Sequence, residues 1–331
     1  MNMLNTNHNI LFKATVLALC VISFVHIFLF PLYDLNAGRN PTKTFMDFEQ
    51  SLCTTNIKHR KSWKRANCPQ YGIVTIMQGG RLGNQMWEYA SVWALARRTG
   101  LEPYVPRCIR LKLDQVFDSL TVPTFEEISH CPVELSRFVK SLDSWNYTNQ
   151  SIILPRYSIQ PELVITWVQD IVQEFSIKKK LLVKSQQILH LASKNRTNRV
   201  FVGVHVRRTD YIGYLMRKHA ASPANATFFR SAMRYFELKY ADVVFVFVSD
   251  DPLWCKRKFS KKKNVYITSK NHRNSPALDL AILASCNHSI FDYGTFGEWG
   301  AILAGGETIY FNLTHHSSEK LGHLLHNWHT I

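Results

Sequence analysis

Two adjacent arginines follow an apolar run in the stretch VGVHVRRTDY, residues 202–211, and suggest where an anionic ligand binds. Arginine is permanently charged, and its planar fork matches the oxygens of a phosphate group. Ligands of open parallel sheets bind at the carboxyl ends of strands, where Arg207 and Arg208 would lie. Successive strand residues point to opposite faces, so we expect one arginine to reach the ligand and the other to meet the core or a carboxylate such as Asp210. A surface arginine pair with a local salt bridge is the alternative that this pattern leaves open.

A Gly-Thr turn in GTFGEWG, residues 294–300, offers a second place for a phosphate. The turn precedes a predicted helix, whose first turn carries free backbone N–H groups and the positive end of the helix dipole. An ordinary strand-to-helix turn has the same pattern, but this one follows a strand in the same predicted domain as the arginine pair. Together the two stretches predict a diphosphate ligand.

Motifs for other chemistry are weak or missing from the sequence. The loop QGGRLGNQ, residues 78–85, is neither GxGxxG nor a P-loop, so NAD binding and ATP hydrolysis are not supported. Asp250 and Asp251 in SDDP could hold a divalent metal, but an Asp-Pro pair more often starts a helix. The histidines show no HExxH spacing, and no GxSxG nucleophile occurs. We therefore expect no metal site.

Strands alternate with helices in two successive stretches, and this order predicts Rossmann-like βαβ domains. The first stretch starts at Tyr71 with YGIVTIM, then has the glycine loop and a helix with apolar residues at helical spacing. The second starts near Arg199 with RVFVGVHV, and DVVFVFV has the continuous apolar character of a parallel strand covered on both faces. We predict two such domains, at 71–198 and at 199–331, facing across a cleft.

One helix of the second domain has a clear start signal. Ser222 and Pro223 predict a helix that runs to about Tyr240, with the serine as N-cap and the proline in the first turn.

The N-terminal segment predicts a membrane anchor. Residues 14–30 contain no Lys, Arg, Asp or Glu and span about 26 Å as a helix, which approaches the ~30 Å of a bilayer core. A cleaved signal peptide is the alternative, but no small-residue cleavage site follows directly. We expect a cytoplasmic tail at 1–13, a signal anchor at 14–33 within the lipid bilayer, and a polar, basic stem at 34–70.

Composition, cysteines and glycosylation signals narrow the compartment. The net charge of +16 suggests an acidic partner, which could be nucleic acid, anionic lipid or a phosphorylated ligand. Six cysteines lie outside the anchor, so all could pair in disulfides, and the sequence fixes no pairing. Six N-x-S/T acceptors favour the secretory lumen and exclude nucleic acid; Asn287 lies in an apolar stretch and is expected to be buried and unmodified. The expected glycosylation sites are Asn146, Asn149, Asn195, Asn225 and Asn312.

Three blocks of the sequence resemble the galactoside α-1,2-fucosyltransferase family. They are QGGRLGNQMWEYASVWALAR, VGVHVRRTDY and PALDLAILASCNHSIFDYGTFGEWGAILAGGETIYF, in the family's order and spacing over about residues 71–312. The resemblance implies a GT-B fold, GDP-L-fucose as co-substrate without a cofactor or metal, and inverting transfer to the 2-hydroxyl of a β-galactoside. It also implies a type II Golgi membrane protein with a luminal catalytic domain.

The resemblance also implies roles for individual residues. Arg207 is similar to the arginine that binds the donor β-phosphate, and His205 and Asp210 would shape that catalytic site. The expected donor-binding residues are Arg207, Arg208, Asp279 (for guanine), Gly294, Thr295 and Phe296. The expected acceptor-side residues are Arg81, Asn84 and Gln85.

One position departs from the family pattern. The α-1,2 family usually has Gly where this chain has Thr209, and HVRRTD is the form of core α-1,6-fucosyltransferases. Transfer of another linkage or to another acceptor, and a non-catalytic glycan-binding role, therefore stay open alternatives.

The sequence does not identify the group that accepts the proton of the acceptor hydroxyl. A carboxylate or a histidine is expected to take it. The candidates are Asp210, His205, Asp292, Glu298 and Glu88.

Overall fold

The computed structural model describes residues 41–58, 64–131, 151–194, 197–269, 274–313 and 316–331. Within these residues, helices surround two wholly parallel sheets, one of three strands and one of six. The parallel α/β organisation predicted from the alternating pattern is confirmed.

A small sheet organises the first half. Its elements in chain order are α1 (Pro41–Leu52), β1 (Ile73–Ile76), α2 (Leu82–Thr99), β2 (Glu102–Pro103), α3 (Arg107–Leu113), a 3₁₀ helix (Phe125–Ile128), β3 (Ile152–Leu154), α4 (Pro161–Ile165), α5 (Val168–Glu174) and α6 (Lys179–Ala192). The strand order is β2–β1–β3, with Val74 opposite both Pro103 and Ile152. Every residue of β1 is buried, as expected for a central strand.

A larger sheet organises the second half. Its elements are β4 (Val200–Val206), α7 (Thr209–His219), α8 (Ala226–Lys239), β5 (Val243–Ser249), α9 (Pro252–Phe259), β6 (Val265–Ile267), α10 (Pro276–Ala284), β7 (His288–Phe291), α11 (Thr295–Ala304), β8 (Thr308–Tyr310), α12 (Ser317–Leu324) and β9 (Trp328–His329). The strand order is β6–β5–β4–β7–β8–β9. All seven residues of β5 are buried, which confirms the strand predicted to be covered on both faces.

Helices α2 and α11 join the two halves through a shared core. The Trp87 and Trp299 rings lie 4.8 Å apart, and Phe175 contacts Trp299 edge-on at 4.9 Å. The helix starts are equally close, because a Cβ added to Gly83 would lie 2.6 Å from the backbone nitrogen of Phe296. Along this helix pair the halves are in direct contact, so any cleft between them lies to one side of it.

The start of α8 differs from the prediction. The side-chain oxygen of Asn225 accepts hydrogen bonds from the N–H groups of Thr227 (2.9 Å) and Phe228 (3.2 Å), so Asn225 is the N-cap. The Ser-Pro pair at 222–223 precedes the helix, and the assignment of Ser222 as its cap is wrong.

Part of the predicted stem belongs to the folded half. Phe45 and Leu52 of α1 are buried in one cluster with Tyr104 and Phe125. The disulfides Cys53–Cys108 and Cys68–Cys131 fasten the same segment to the sheet region. Of the stem expected at 34–70, the described residues 41–58 and 64–70 therefore belong to the folded half, since apolar burial and two cross-links hold them there.

The tail and anchor predicted at 1–13 and 14–33 lie outside the described residues. Over the ranges that the structure does describe, no helix combines the length and the apolar character required to cross a membrane.

Candidate active site

Arg207 lies at the carboxyl end of β4, at the centre of the larger sheet. Its backbone N–H donates to Asp292 Oδ2 at 2.8 Å, which ties the ends of β4 and β7 together. Its guanidinium carbon lies 4.7 Å from the centre of the Tyr211 ring, and Tyr211 stacks on Tyr293 at 4.6 Å. The buried Nε–H of Arg207 has no acceptor among the described residues, so this guanidinium keeps a free donor.

Arg208 has partners different from those of Arg207. Its guanidinium carbon lies 4.2 Å from the centre of the Trp254 ring, and its Nη1 donates to the carbonyl of Ala224 at 3.4 Å. Arg208 thus meets the apolar core through Trp254, an outcome that the sequence predicted for one arginine of the pair. These contacts assign Arg208 a packing role, and its assignment to donor binding stays a prediction.

Asp210 connects two arginines from different halves of the chain. Its Oδ2 lies 3.2 Å from Arg207 Nη2 and 3.1 Å from Nη2 of Arg81, whose side chain is mostly exposed. The predicted Arg207–Asp210 pairing is present. Asp210 thus positions the two guanidinium groups, and this engagement makes it a poor candidate for the catalytic base.

The turn at Gly294 brings a helix start to Arg207. Gly294 has φ +90°, a conformation that L side chains rarely adopt, and a Cβ there would lie 3.8 Å from Arg207 Cδ. The hydroxyl of Thr295 donates to Asn84 Oδ1 at 2.7 Å, so the starts of α2 and α11 meet. Both helices present free N–H groups and positive dipole ends at this point.

The other two acceptor-side candidates shape the loop before α2. Gly80 has φ +59°, and its carbonyl accepts a hydrogen bond from Gln85 Nε2 at 3.3 Å. Gln85 is buried, whereas Arg81 extends into solvent beside Asp210. Gln85 therefore supports the loop through Nε2, while its buried Oε1 has no hydrogen-bond partner among the described residues.

His205 is enclosed between β4 and α11. Burial and the charge of Arg207 lower the pKa of His205 to about 4, so its imidazole is neutral at neutral pH. A Cβ on Gly297 would lie 2.9 Å from its Nδ1, and Nδ1 is 3.9 Å from Asp292 Oδ1. The assignment of His205 to shaping the site fits this placement, but a buried, weakly basic imidazole is a poor proton acceptor.

Asp292 and Asp250 organise the backbone under Arg207. Burial raises the pKa of Asp292 well above its ordinary value, although the N–H groups of Arg207 and Tyr293 act in the opposite direction. Asp250 accepts the N–H of Arg208 at 2.8 Å and the hydroxyl of Thr209 at 2.5 Å. Both acids serve to fix the turns that carry the arginines.

Asp251 caps α9, as the Asp-Pro pattern predicted. Its Oδ1 accepts the N–H of Trp254 at 3.0 Å, with Pro252 in the first turn. Asp250 accepts hydrogen bonds through both oxygens, and Asp251 serves as a helix cap.

Glu298 is a structural link between the halves. Its Oε2 accepts the indole N–H of Trp87 at 2.9 Å, and its Oε1 accepts the hydroxyls of Ser317 and Ser318. Burial by itself would raise the pKa of Glu298. Hydrogen bonds from His316 and the two serines outweigh burial, and the net result is a pKa below the ordinary value. A carboxylate engaged in this way cannot also receive a proton from a substrate.

Asp279 lies at the same sheet edge but further along it. It is in the first turn of α10, and its Oδ1 accepts a hydrogen bond from Asn274 at 3.0 Å. Asn274 also donates to the hydroxyl of Thr268, just after β6, which is two strands from β4. Burial raises the pKa of Asp279 to about 6.

Sequence reasoning missed the aromatic support of Arg207. Tyr211 lies inside the motif VGVHVRRTDY, and its hydroxyl is 3.2 Å from His316 Nε2. The cation–aromatic contact depends on α7 folding back over the strand end, and no local pattern encodes that. The spacing of Arg207 and Tyr211 by four residues was the only available signal.

The glycosylation acceptors are partly described. Asn225 and Asn312 are exposed, and Asn146, Asn149 and Asn195 lie outside the described residues. Asn287 is exposed, not buried as expected, because it follows the end of α10; its Oδ1 accepts the N–H of Phe201 at 2.8 Å.

The fold and site together define a class. A parallel α/β fold with an arginine and a helix start at one sheet edge is an arrangement that binds phosphorylated ligands. Residues 44–331 match the sequence model of glycosyl transferase family 11, and the chain belongs to that family.

Named relatives agree with this membership. Galactoside 2-alpha-L-fucosyltransferase SEC1 of Bos taurus is 32% identical over 250 residues, covering 73% of this chain and 67% of that protein. Galactoside alpha-(1,2)-fucosyltransferase 1 of Saimiri sciureus is 33% identical over 272 residues, covering 77% and 73%. The crystal structure of selenomethionine fucosyltransferase NodZ from Bradyrhizobium has the same fold, with a TM-score of 0.50 at 15% identity over 75% of this chain and 97% of that one.

Proposed function

We propose that this protein transfers L-fucose from GDP-L-fucose to the 2-hydroxyl of a β-galactoside on a glycan, with inversion at the sugar carbon. The observation that carries the proposal is the guanidinium of Arg207 beside the Gly294 turn at the start of α11. The names of the family relatives point to the same reaction.

The donor fits along the carboxyl edge of the six-stranded sheet. Neighbouring strands are ~4.8 Å apart, so β6 is roughly 10 Å from β4, a distance on the scale of a nucleoside diphosphate. Phosphates at Arg207 and Thr295 would place the guanine near Asp279. A carboxylate there suits the N–H edge of guanine as a hydrogen-bond acceptor.

Departure of GDP leaves negative charge that the site must stabilise. Arg207 supplies a fixed positive charge with a free Nε–H, and the N-terminus of α11 supplies backbone dipoles. Asp210 and the donor phosphates would compete for the guanidinium of Arg207. The Arg207–Asp210 contact of 3.2 Å is long, and therefore weak, for a charge-assisted hydrogen bond. The site therefore has the electrostatic means to stabilise GDP, and we propose transfer without a metal.

The contacts of Thr209 favour the β-galactoside acceptor over a different acceptor. Its hydroxyl donates to Asp250 at the end of β5, on the side of the turn that supports Arg208. The same hydroxyl lies 3.5 Å from Asp210 Oδ1, so both of its neighbours belong to the turn that carries the arginines. We propose that the residue stabilises the donor turn and does not select the acceptor.

The finer architecture and location are part of the proposal. The two parallel sheets joined at α2 and α11 suit a GT-B arrangement with the acceptor on the first half. The apolar residues 14–33, the two disulfides and the exposed Asn225 suit a type II Golgi protein with a glycosylated luminal domain. We accordingly place the anchor in the lipid bilayer.

The deciding experiment measures GDP release and product linkage together. The purified luminal part, residues 41–331, is incubated with GDP-fucose and a β-galactoside, with and without a chelator. We expect acceptor-dependent GDP release, an α-1,2-linked product and no effect of the chelator. A product with another linkage would favour the alternative acceptor, whereas glycan binding without GDP release would favour a non-catalytic relative.

A further inference from the structure

The guanidinium of Arg207 stands at the end of a long side chain and needs neighbours that hold it in place. Fixing an arginine side chain costs much rotamer freedom, so a charged group that meets a leaving group works best where packing orients it. Among the described residues, this guanidinium contacts Asp210 at 3.2 Å and the ring of Tyr211 at 4.7 Å. Because Asp210 would compete with the donor phosphates, the Tyr211 ring is the contact that persists when a donor binds.

The ring of Tyr211 is itself held on its face and at its tip. It stacks on Tyr293 with ring centres 4.6 Å apart and planes 18° apart, and Tyr293 is only 1% exposed. The ring of Tyr214 lies 4.8 Å away. At the tip, the hydroxyl of Tyr211 is 3.2 Å from Nε2 of His316. A fixed neighbour and a hydrogen bond thus determine where this ring lies.

His316 is tied to a buried carboxylate. Its Nδ1 lies 3.5 Å from Oε1 of Glu298, which is 0% exposed, and 3.3 Å from the backbone nitrogen of Ser318. The first contact suits a protonated Nδ1 and the second a bare one. The Tyr211 hydroxyl complements either form, because it can donate to Nε2 or accept from it. The bond to Tyr211 therefore forms with both neutral tautomers of His316.

The same carboxylate receives a hydrogen bond from the first half of the molecule. Oε2 of Glu298 accepts the indole N–H of Trp87 at 2.9 Å, and Trp87 is fully buried on α2. One series of contacts therefore begins on α2 and ends at Arg207, and its links are Glu298, His316 and Tyr211. The packing of the two halves is in this way connected to the group that faces the leaving diphosphate.

We propose that Tyr211 and His316 are positioning residues of the transfer reaction, which hold the Arg207 guanidinium against the departing diphosphate; this inference rests on the proposed function. Neither residue needs to touch the substrate, because both act through Arg207. A shift of a catalytic group by about 1 Å can cost ~10²-fold in rate, so even the loss of the hydroxyl–imidazole bond should be measurable.

Two substitutions separate this role from ordinary structural support. His316 is also the N-cap of α12. Asparagine is a favoured N-cap and matches the Nδ1 end of the imidazole, so His316→Asn keeps the cap, but its side chain is too short to reach Tyr211. Tyr211→Phe keeps the stacked ring and removes only the hydroxyl. A purely structural role predicts near-normal function in both variants.

The primary test is a double-mutant cycle on GDP affinity, measured by calorimetry. His316→Asn should weaken GDP binding ~5-fold in otherwise wild-type protein, because the guanidinium is no longer held in place. In the Arg207→Gln background the same substitution should change the affinity less than ~2-fold, since the group that it positions is gone. Tyr211→Phe should behave in the same way. Equal losses in both backgrounds would overturn the proposal.

Turnover gives a second readout. The kcat for GDP release from GDP-fucose should fall ~10-fold in His316→Asn, while the acceptor KM and the Tm stay close to wild type, because the effect is on the donor side. His323→Asn is the matched control. It makes the same substitution at an exposed position in the last turn of the same helix, and it should leave all three quantities unchanged.

The remaining outcomes are also decisive. Wild-type GDP affinity and kcat in both His316→Asn and Tyr211→Phe would reject a positioning role. A lowered Tm together with a raised acceptor KM would show that the two residues support the contact between the halves, and would reject it as well. If the wild type binds GDP without transferring fucose, the proposed function fails, while the affinity cycle still decides whether His316 acts through Arg207.

Discussion

The two halves of the molecule are stabilised in different ways. In the second half, β4 and β5 have seven residues each and pair along their whole length, and its two described cysteines, Cys255 and Cys286, are buried free thiols. In the first half the strands have four, two and three residues, and both disulfides are found there. A large sheet covered on both faces supplies its own core, whereas a small one needs cross-links and a neighbour.

This difference follows the division of the site. The expected donor-binding groups, led by Arg207, stand on the large sheet, whereas the expected acceptor-side residues Arg81 and Asn84 stand at the start of α2, beside the small one. The half with the large sheet should therefore depend less on disulfides for its stability than the half with the small sheet. Four experiments test or refine that contrast.

Removing a disulfide should have the largest effect on stability. Cys53→Ser with Cys108→Ser opens a loop of 55 residues, which costs ~4 kcal/mol in the chain-entropy account. Chemical denaturation measures the loss. Cys286→Ala in the second half is the control and should cost ~1 kcal/mol; similar losses at both places would show that the halves do not differ.

Arg207→Lys should remove most of the activity without unfolding the protein. Lysine keeps the charge but loses the fork, so transfer should fall ~10²-fold, equivalent to about 3 kcal/mol of barrier. GDP release measures the rate, and circular dichroism checks the fold. Arg208→Lys is the matched control, because it loses the Trp254 contact and should lower Tm more than turnover. Near-normal turnover in Arg207→Lys would reject its role.

Gly83→Ala should disturb the contact between the halves. The added Cβ would be 2.6 Å from the nitrogen of Phe296, so α2 or α11 must shift, at a cost of ~1–3 kcal/mol and with weaker GDP binding. Gly213→Ala is the control on α7, where the Cβ meets only the flexible end of Arg217 and should stabilise the helix by ~0.5–1 kcal/mol. Equal behaviour of the two variants would contradict the packing argument.

The smallest effect is expected in the pH dependence of GDP binding. The pKa of Asp279 is raised to about 6, so its carboxylate, the form that accepts the guanine N–H groups, is lost as pH falls through 6. Affinity should therefore drop ~10-fold from pH 8 to pH 5, as measured by calorimetry. GDP itself titrates in this range, so Asp279→Asn is the reference. An identical profile in that variant would place the guanine elsewhere.

How far the sequence predicted the site varies from residue to residue. The pairing of Arg207 with Asp210 and the cap at Asp251 were legible because each depends on neighbours within a few positions. The roles of Glu298 and Glu88 were not, since their partners are far apart in the chain: Trp87 and Ser317 for one, Gly79 and Tyr157 for the other. The same limit explains why α1 was assigned to the stem, as its apolar face is matched only by Tyr104 and Phe125 after folding.

The sequence alone determined the alternation of strands and helices, the continuous burial of β5 and the placing of Arg207 at a strand end. These features follow from the spacing of apolar residues and from the turn residues between them, and both signals act over a few positions along the chain. Only the tertiary structure decided the disulfide pairing, the meeting of α2 with α11 and the contacts of Glu298. Those outcomes depend on distances between segments far apart in sequence, and burial, which sets both pairing and pKa, exists only once the segments have packed together.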